Sequence, residues 1–181
     1  MAQALIVVDL QEDFTPPDGA LAVPGGHEIV GRVNELAVQP AYGLVVATRD
    51  WHPPDHASFA PHGGPWPVHC VQGTPGAELH GALDRSAIHE VVDKGQDRET
   101  EGYSGFQATR LRDLLRGHRI TAVTVCGLAT DYCVRHTALD ALRDGLEVAV
   151  AADAVRGVDV TAGDSERALR ELAEAGAVIR R

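Results

Sequence analysis

The sequence predicts an α/β fold: a single doubly wound domain whose mostly parallel, six-stranded sheet carries helices on both faces. Three observations predict it. Apolar runs such as ALIVVDL lack the polar alternation of a strand with one wet face, so both faces are buried, as in parallel sheets. The segments between these runs place apolar residues at helical spacing. The two patterns follow one another as β-α-β-loop-β-α-β-α-β-α-β, the order of crossover-connected parallel strands.

The strands are expected at Ala4–Leu10, Gly43–Thr48, Ile88–Asp93, Thr121–Cys126 and Glu147–Ala151, with a shorter sixth at Ala177–Ile179. The helix over His27–Ala37 puts Ile29, Val33 and Leu36 on one face. In Gln107–Arg116, Leu111, Leu114 and Leu115 cluster, and Gly117 is a natural stop. Asp131–Asp144 carries Val134, Ala138, Ala141 and Leu142 before Gly145, and Ser165–Ala175 carries Ala168, Leu169 and Leu172 before Gly176. Trp51 to about Gly81 has neither period, and it holds Pro53, Pro54, Pro61, Pro65, Pro67 and Pro75. A long structureless loop inside a compact domain is usually functional or disordered. This one also holds His52, His56, His62, His69 and His80, five of nine histidines, which a bound metal would explain.

Composition narrows the function classes. The chain has 181 residues, 44% of them hydrophobic, and a formal net charge of −10. That length suits one domain with a single core. That charge argues against nucleic acid or an anionic membrane as a partner. No apolar run approaches the roughly 18 residues of a membrane span. The N-terminus lacks a basic n-region and does not read as a signal peptide. Cys70, Cys126 and Cys133 make an odd count without a CxxC, so free thiols in a reducing cytoplasm are expected.

Ligands of open α/β sheets bind beyond the carboxyl ends of the strands. Asp9 closes the first strand, as a tunable base or as a carboxylate capping a loop. Lys94, the only lysine, closes the third, paired with Asp9 or solvated. The fourth runs into Cys126-Gly127-Leu128-Ala129-Thr130-Asp131-Tyr132-Cys133. Thr130 is a good N-cap, which puts Cys133 in the first helical turn, where free amides favour a thiolate and could hold an oxyanion. The alternative for Cys133 is a small buried hydrophobe, the reading given to Cys126. Asp50 and His52, two apart at the end of the second strand, point the same way and suit Zn²⁺, Fe²⁺ or Mn²⁺, with His56 and His69 as candidate further ligands.

Together these blocks resemble the nicotinamidase/pyrazinamidase branch of the isochorismatase-like cysteine hydrolases. The matching stretches are ALIVVDLQEDF, ATRDWHPPDHASF, WPVHCVQGTPGAELH, VDKG, YSGF and VCGLATDYCV, which together span essentially the whole chain, 1–181. The resemblance implies a catalytic triad of Asp9, Lys94 and Cys133, and an oxyanion hole from the amides of Ala129 and Cys133 after a cis Leu128–Ala129 peptide. It implies metal ligands Asp50, His52 and His69 in a loop over about 50–81, with His56 a further ligand in some members. Phe14, Trp66 and Tyr103 would line the pocket for an aromatic ring. The implied activity is hydrolysis of nicotinamide to nicotinic acid and ammonia, and of pyrazinamide to pyrazinoic acid, through a thioester in NAD salvage. One divalent ion, Zn²⁺ or Fe²⁺ (Mn²⁺ as a third choice), would be the cofactor.

Two alternatives stand beside it. One is a related hydrolase acting on a ureido or N-carbamoyl compound. The other is a catalytically dead, metal-stabilised binding domain. The sequence leaves the native metal and the homo-oligomeric state open.

Overall fold

The computed structural model describes residues 2–181, so Met1 lies outside the described residues. Six strands form one sheet in the order β3-β2-β1-β4-β5-β6, and every neighbouring pair is parallel. They are β1 (Gln3–Val8), β2 (Tyr42–Asp50), β3 (Glu90–Lys94), β4 (Ala122–Leu128), β5 (Glu147–Arg156) and β6 (Val178–Arg180). The helices are α1 (Val30–Ala37), α2 (Leu111–Gly117), α3 (Arg135–Arg143) and α4 (Asp164–Glu174).

The pleat of β1 sorts the core into two. Ala4, Ile6 and Val8 face Leu111, Leu115, Ala138 and Leu172 of α2, α3 and α4. Leu5 and Val7 face Ile29, Val33 and Leu36 at α1 and its approach. Both faces are therefore covered, which is why the strands read as unbroken apolar runs. On the α1 side the cover is completed by loop residues such as Phe14, Val23, Cys70 and Leu79.

The helix expected from His27 opens as a 3₁₀ turn over Gly26–Ile29, and three other expected elements differ more in extent. The helix expected from Gln107 begins only at Leu111, because Ala108 takes a left-handed conformation (φ 52°) that no helix interior tolerates. The helix expected from Asp131 opens as a wide turn over Thr130–Val134, in which the Val134 amide donates to the Ala129 carbonyl five residues back. Thr130 is buried inside that turn and caps nothing; the capping position is Ala129. The fifth strand runs on to Arg156, since a register shift beside Gly127 lets β4 and β5 stay paired to Leu128 and Arg156.

The loop after β2 contains short 3₁₀ turns at Ala60–His62 and Pro75–Ala77, and single bridges tie His52 to Val71 and Phe59 to Trp66. Cys70, Cys126 and Cys133 are free and buried. Among the described residues no helix is long and apolar enough to cross a membrane.

Candidate active site

The strand order reverses between β1 and β4, and the expected site residues gather there at the carboxyl ends. Asp9 follows β1, Asp50 and Lys94 end β2 and β3 as register partners, and Cys133 lies in the turn after β4. Gly127 makes this convergence fit. Its φ is 108°, and a Cβ there would lie 2.1 Å from the Val8 carbonyl oxygen. Asp9, Asp50, Lys94 and Cys133 are all buried.

Lys94 is the hub. Its ammonium lies 2.8 Å from Asp9 Oδ2, forms a close ion pair with Asp50 Oδ1, donates to the Gly102 carbonyl at 2.6 Å and reaches Cys133 Sγ at 3.5 Å. Burial alone would lower its pKa, but Asp50 and Asp9 outweigh burial and hold it well above the usual lysine value. Burial acts the other way on Asp50 too. There Lys94 and then His52 win, and the carboxyl stays far below the usual carboxylate range.

Asp9 Oδ1 accepts from Thr48 Oγ1 at 2.7 Å, and Oδ2 is the oxygen paired with the Lys94 ammonium at 2.8 Å. Burial raises the Asp9 pKa against the opposing pull of Lys94, so it is a better base than a solvated aspartate. Burial also pushes the Cys133 thiol well up, while the Lys94 ammonium pulls it down. Desolvation thus works against the thiolate that a helix start would favour.

Beside this set, one ligand atom each from Asp50, His52 and His69 lies within 4.8 Å of the others. The tautomers can be argued from what the rings touch. His52 Nδ1 is 2.8 Å from the Gly95 carbonyl and His69 Nδ1 is 2.7 Å from the Pro67 carbonyl. A carbonyl only accepts, so each Nδ1 carries the hydrogen and each Nε2 keeps its lone pair. Those lone pairs face Asp50 Oδ2 at 3.4 and 4.0 Å. Three lone pairs converging on one point repel unless a cation sits among them, and backbone carbonyls behind ligating histidines are the usual second layer. The donor set therefore fits a divalent ion of the zinc or iron type. Gly95 (φ 63°) makes the contact with His52, since a Cβ there would lie 2.4 Å from the ring.

His56 does not join the set. Its Nε2 faces the Thr100 carbonyl at 2.8 Å and its Nδ1 meets Ser58 Oγ at 2.7 Å, so neither nitrogen is left for an ion. It stacks on His52 with centroids 4.0 Å apart and braces that ring from behind.

The cleft above is aromatic. Phe14, Trp66 and Tyr103 all line it. Trp66 Nε1 donates to the Tyr103 hydroxyl at 2.9 Å, joining the long loop to the segment after β3. Ala129 also lines the cleft beside Cys133, and the Leu128–Ala129 peptide is cis.

Several contributors were not singled out in the sequence. Tyr132 packs edge-on against Trp66 at 5.0 Å, and Leu21, Val23 and Val158 also line the cleft. Gln11 grips Asp50 by both backbone groups: Oε1 accepts from the Asp50 amide at 2.7 Å and Nε2 donates to its carbonyl at 2.8 Å. Asp13 Oδ2 accepts from the Cys70 amide at 2.7 Å and so fixes the neighbour of His69. The run of three polar residues, Gln11-Glu12-Asp13, between Leu10 and Phe14 is the signal that could have found Gln11 and Asp13.

Residues 3–181 match the isochorismatase domain. The chain belongs to the isochorismatase family. Its relatives include a nicotinamidase of Escherichia coli (strain K12), 42% identical over 98% of this chain and 93% of the relative. Among isochorismatase-family structures, PnC1 from L. infantum in complex with nicotinate superposes with a TM-score of 0.95 at 39% identity, covering 99% of this chain and 92% of that one. A pyrazinamidase of Pyrococcus horikoshii in complex with zinc superposes with a TM-score of 0.91 at 48% identity, covering 100% and 99%.

Proposed function

We propose that this protein is a cysteine amidohydrolase that converts nicotinamide to nicotinic acid and ammonia, and pyrazinamide to pyrazinoic acid, with residues 1–181 acting as one hydrolase unit. The observation that carries the reading is the contact of one buried lysine with Asp9, Asp50 and Cys133 at the floor of an aromatic cleft. Relatives that are nicotinamidases over nearly their full length support the substrate.

The chemistry follows from the atoms. Cys133 Sγ attacks the carboxamide carbon as its proton passes to the Asp9 carboxylate. The oxyanion that forms is held by the amides of Ala129 and Cys133. The C–N bond breaks, Asp9 returns the proton to nitrogen, and ammonia leaves a thioester. Water then attacks the thioester and gives a proton to Asp9. The C–S bond breaks, the sulfur regains that proton, and the carboxylic acid departs. Lys94 keeps Asp9 ionised between proton transfers. Asp50, His52 and His69 would hold the divalent ion, which when bound supplies a Lewis-acidic position suited to a pyridine or pyrazine nitrogen. Zn²⁺ is supported by the zinc complex of the P. horikoshii relative, and Fe²⁺ by the donor set alone. A reducing, cytoplasmic setting for NAD salvage suits three free thiols.

Neither alternative fares as well. The cleft lining includes Asp9, Asp50 and Glu101 and, among the described residues, no arginine, which disfavours ureido or N-carbamoyl acids. A dead binding domain would have no need of an ordered triad. The test is ammonia release from nicotinamide, pyrazinamide and benzamide by the zinc-loaded protein. Nicotinamide and pyrazinamide should turn over, and benzamide, lacking the ring nitrogen, should be far poorer. Equal turnover of benzamide would remove the ring-nitrogen anchor.

A further inference from the structure

We propose that Asp131 is a positioning residue that sets the pocket's selectivity for ring size by holding Val158 in the wall, a proposal that rests on the amidohydrolase reading above. Asp131 lies two residues before Cys133, in the same wide turn. Its carboxylate faces away from the reacting atoms, toward the loop between β5 and α4. Oδ1 accepts from the Val158 amide at 2.9 Å and Oδ2 from the Asp159 amide at 2.8 Å. Both oxygens are thus committed to consecutive backbone N–H groups of the loop whose Val158 side chain lines the cleft.

The far side of the loop is fixed as well. Asp159 Oδ1 accepts from the Ser165 amide at 2.8 Å and Oδ2 from the Ser165 hydroxyl at 2.7 Å, which anchors the loop to α4. Gly157 leaves no slack: a Cβ there would lie 1.8 Å from Ser165 Oγ and 3.0 Å from Asp131 Oδ1. Asp159 takes a left-handed conformation, φ 50°, that the two anchors hold in place. The nucleophile turn and the Val158 wall are therefore one unit joined through a single carboxylate. A ring entering the cleft meets a wall whose distance from Cys133 is set by Asp131.

The test uses the full-length, zinc-loaded protein with nicotinamide and its bulkier 5-methyl derivative. In Asp131→Asn, one amide nitrogen meets a backbone N–H donor to donor, so the loop withdraws. The expected result is a KM for nicotinamide raised about tenfold with kcat little changed, and a preference shifted about tenfold toward the 5-methyl compound, the range for a methyl-sized contact in an apolar pocket. Val158→Ala should shift preference the same way, and Asp131→Asn/Val158→Ala should show less than the sum, because both act on one wall. An unchanged preference overturns the proposal. So does an equal loss of kcat on both amides with slower alkylation of Cys133, which would place the effect on the nucleophile. If the wild-type protein hydrolyses neither amide, the amidohydrolase reading fails by itself. Hydrogen exchange then decides for Asp131: faster exchange at the Val158 and Asp159 amides in Asp131→Asn upholds the tether, and unchanged exchange refutes it.

Discussion

Burial, together with Asp9 and Asp50, pushes the Cys133 thiol pKa up, while Lys94 pulls the other way. Turnover then depends on Asp9 being ionised when substrate arrives. Its pKa is raised by burial above the usual aspartate value, so the base is lost by protonation at a higher pH than a solvated carboxylate would allow. The acid limb of the kcat/KM profile should therefore lie above the ordinary aspartate range, and an acid limb inside that range would place the base elsewhere. Asp9→Asn should be nearly as damaging as loss of the thiol, with the double variant little worse, since the two act as a unit. Iodoacetamide should modify Cys133 first, because Cys133 lines the cleft whereas Cys70 and Cys126 are fully enclosed. The rate should rise with pH well past neutrality, since the thiolate is scarce there. Mass mapping that found Cys70 modified first would misplace the reactive thiol. Lys94→Met would leave two buried carboxylates without their cation, a loss of about 3–5 kcal/mol for a broken buried pair, measurable by denaturant unfolding.

Strands were more legible than turns. A short, β-branched unbroken run such as LIVVD reads as a strand buried on both faces, and the residue closing it reaches the rim, which is where Asp9 and Lys94 were expected. The wide turn at Thr130–Val134 could not, because Thr130 followed by helical spacing looks like an ordinary capped start. Its i-to-i−5 hydrogen bond depends on the backbone at Ala129, which leaves no trace in the residue pattern. The tautomers of His52 and His69 were equally hidden, since they are set by the carbonyls of Gly95 and Pro67, which any residue could supply. His56 was ambiguous for the same reason, and the contacts its ring makes with Thr100 and Ser58 were equally hidden. The loop over 51–81 has few regular hydrogen bonds and several contacts that converge on the proposed ligands. Chelation should therefore speed hydrogen exchange at the His52 amide, bonded to the Cys70 carbonyl, while the β1 amides stay protected. Equal exchange with and without chelator would mean the loop stands without the ion.

For the whole molecule, an ion that binds only the folded state stabilises it by mass action, by about 2.7 kcal/mol at a hundredfold excess over Kd. For a chain of this size that corresponds to a Tm rise of roughly 5–11 °C. Zinc should produce it in the wild-type protein and lose most of it in His52→Ala, as differential scanning calorimetry would record. The same folded, metal-loaded molecule permits the most direct test of the thiol chemistry. Zinc-loaded wild-type protein and Cys133→Ala, matched in Tm and zinc content, should be given nicotinamide, and ammonia and nicotinic acid measured together. Equimolar ammonia and nicotinic acid from the wild type, with none above background from Cys133→Ala, is the predicted result. No turnover by the wild type, or turnover by Cys133→Ala at more than about a few per cent of wild type, beyond the residual binding and oxyanion contributions alone can supply, would contradict it.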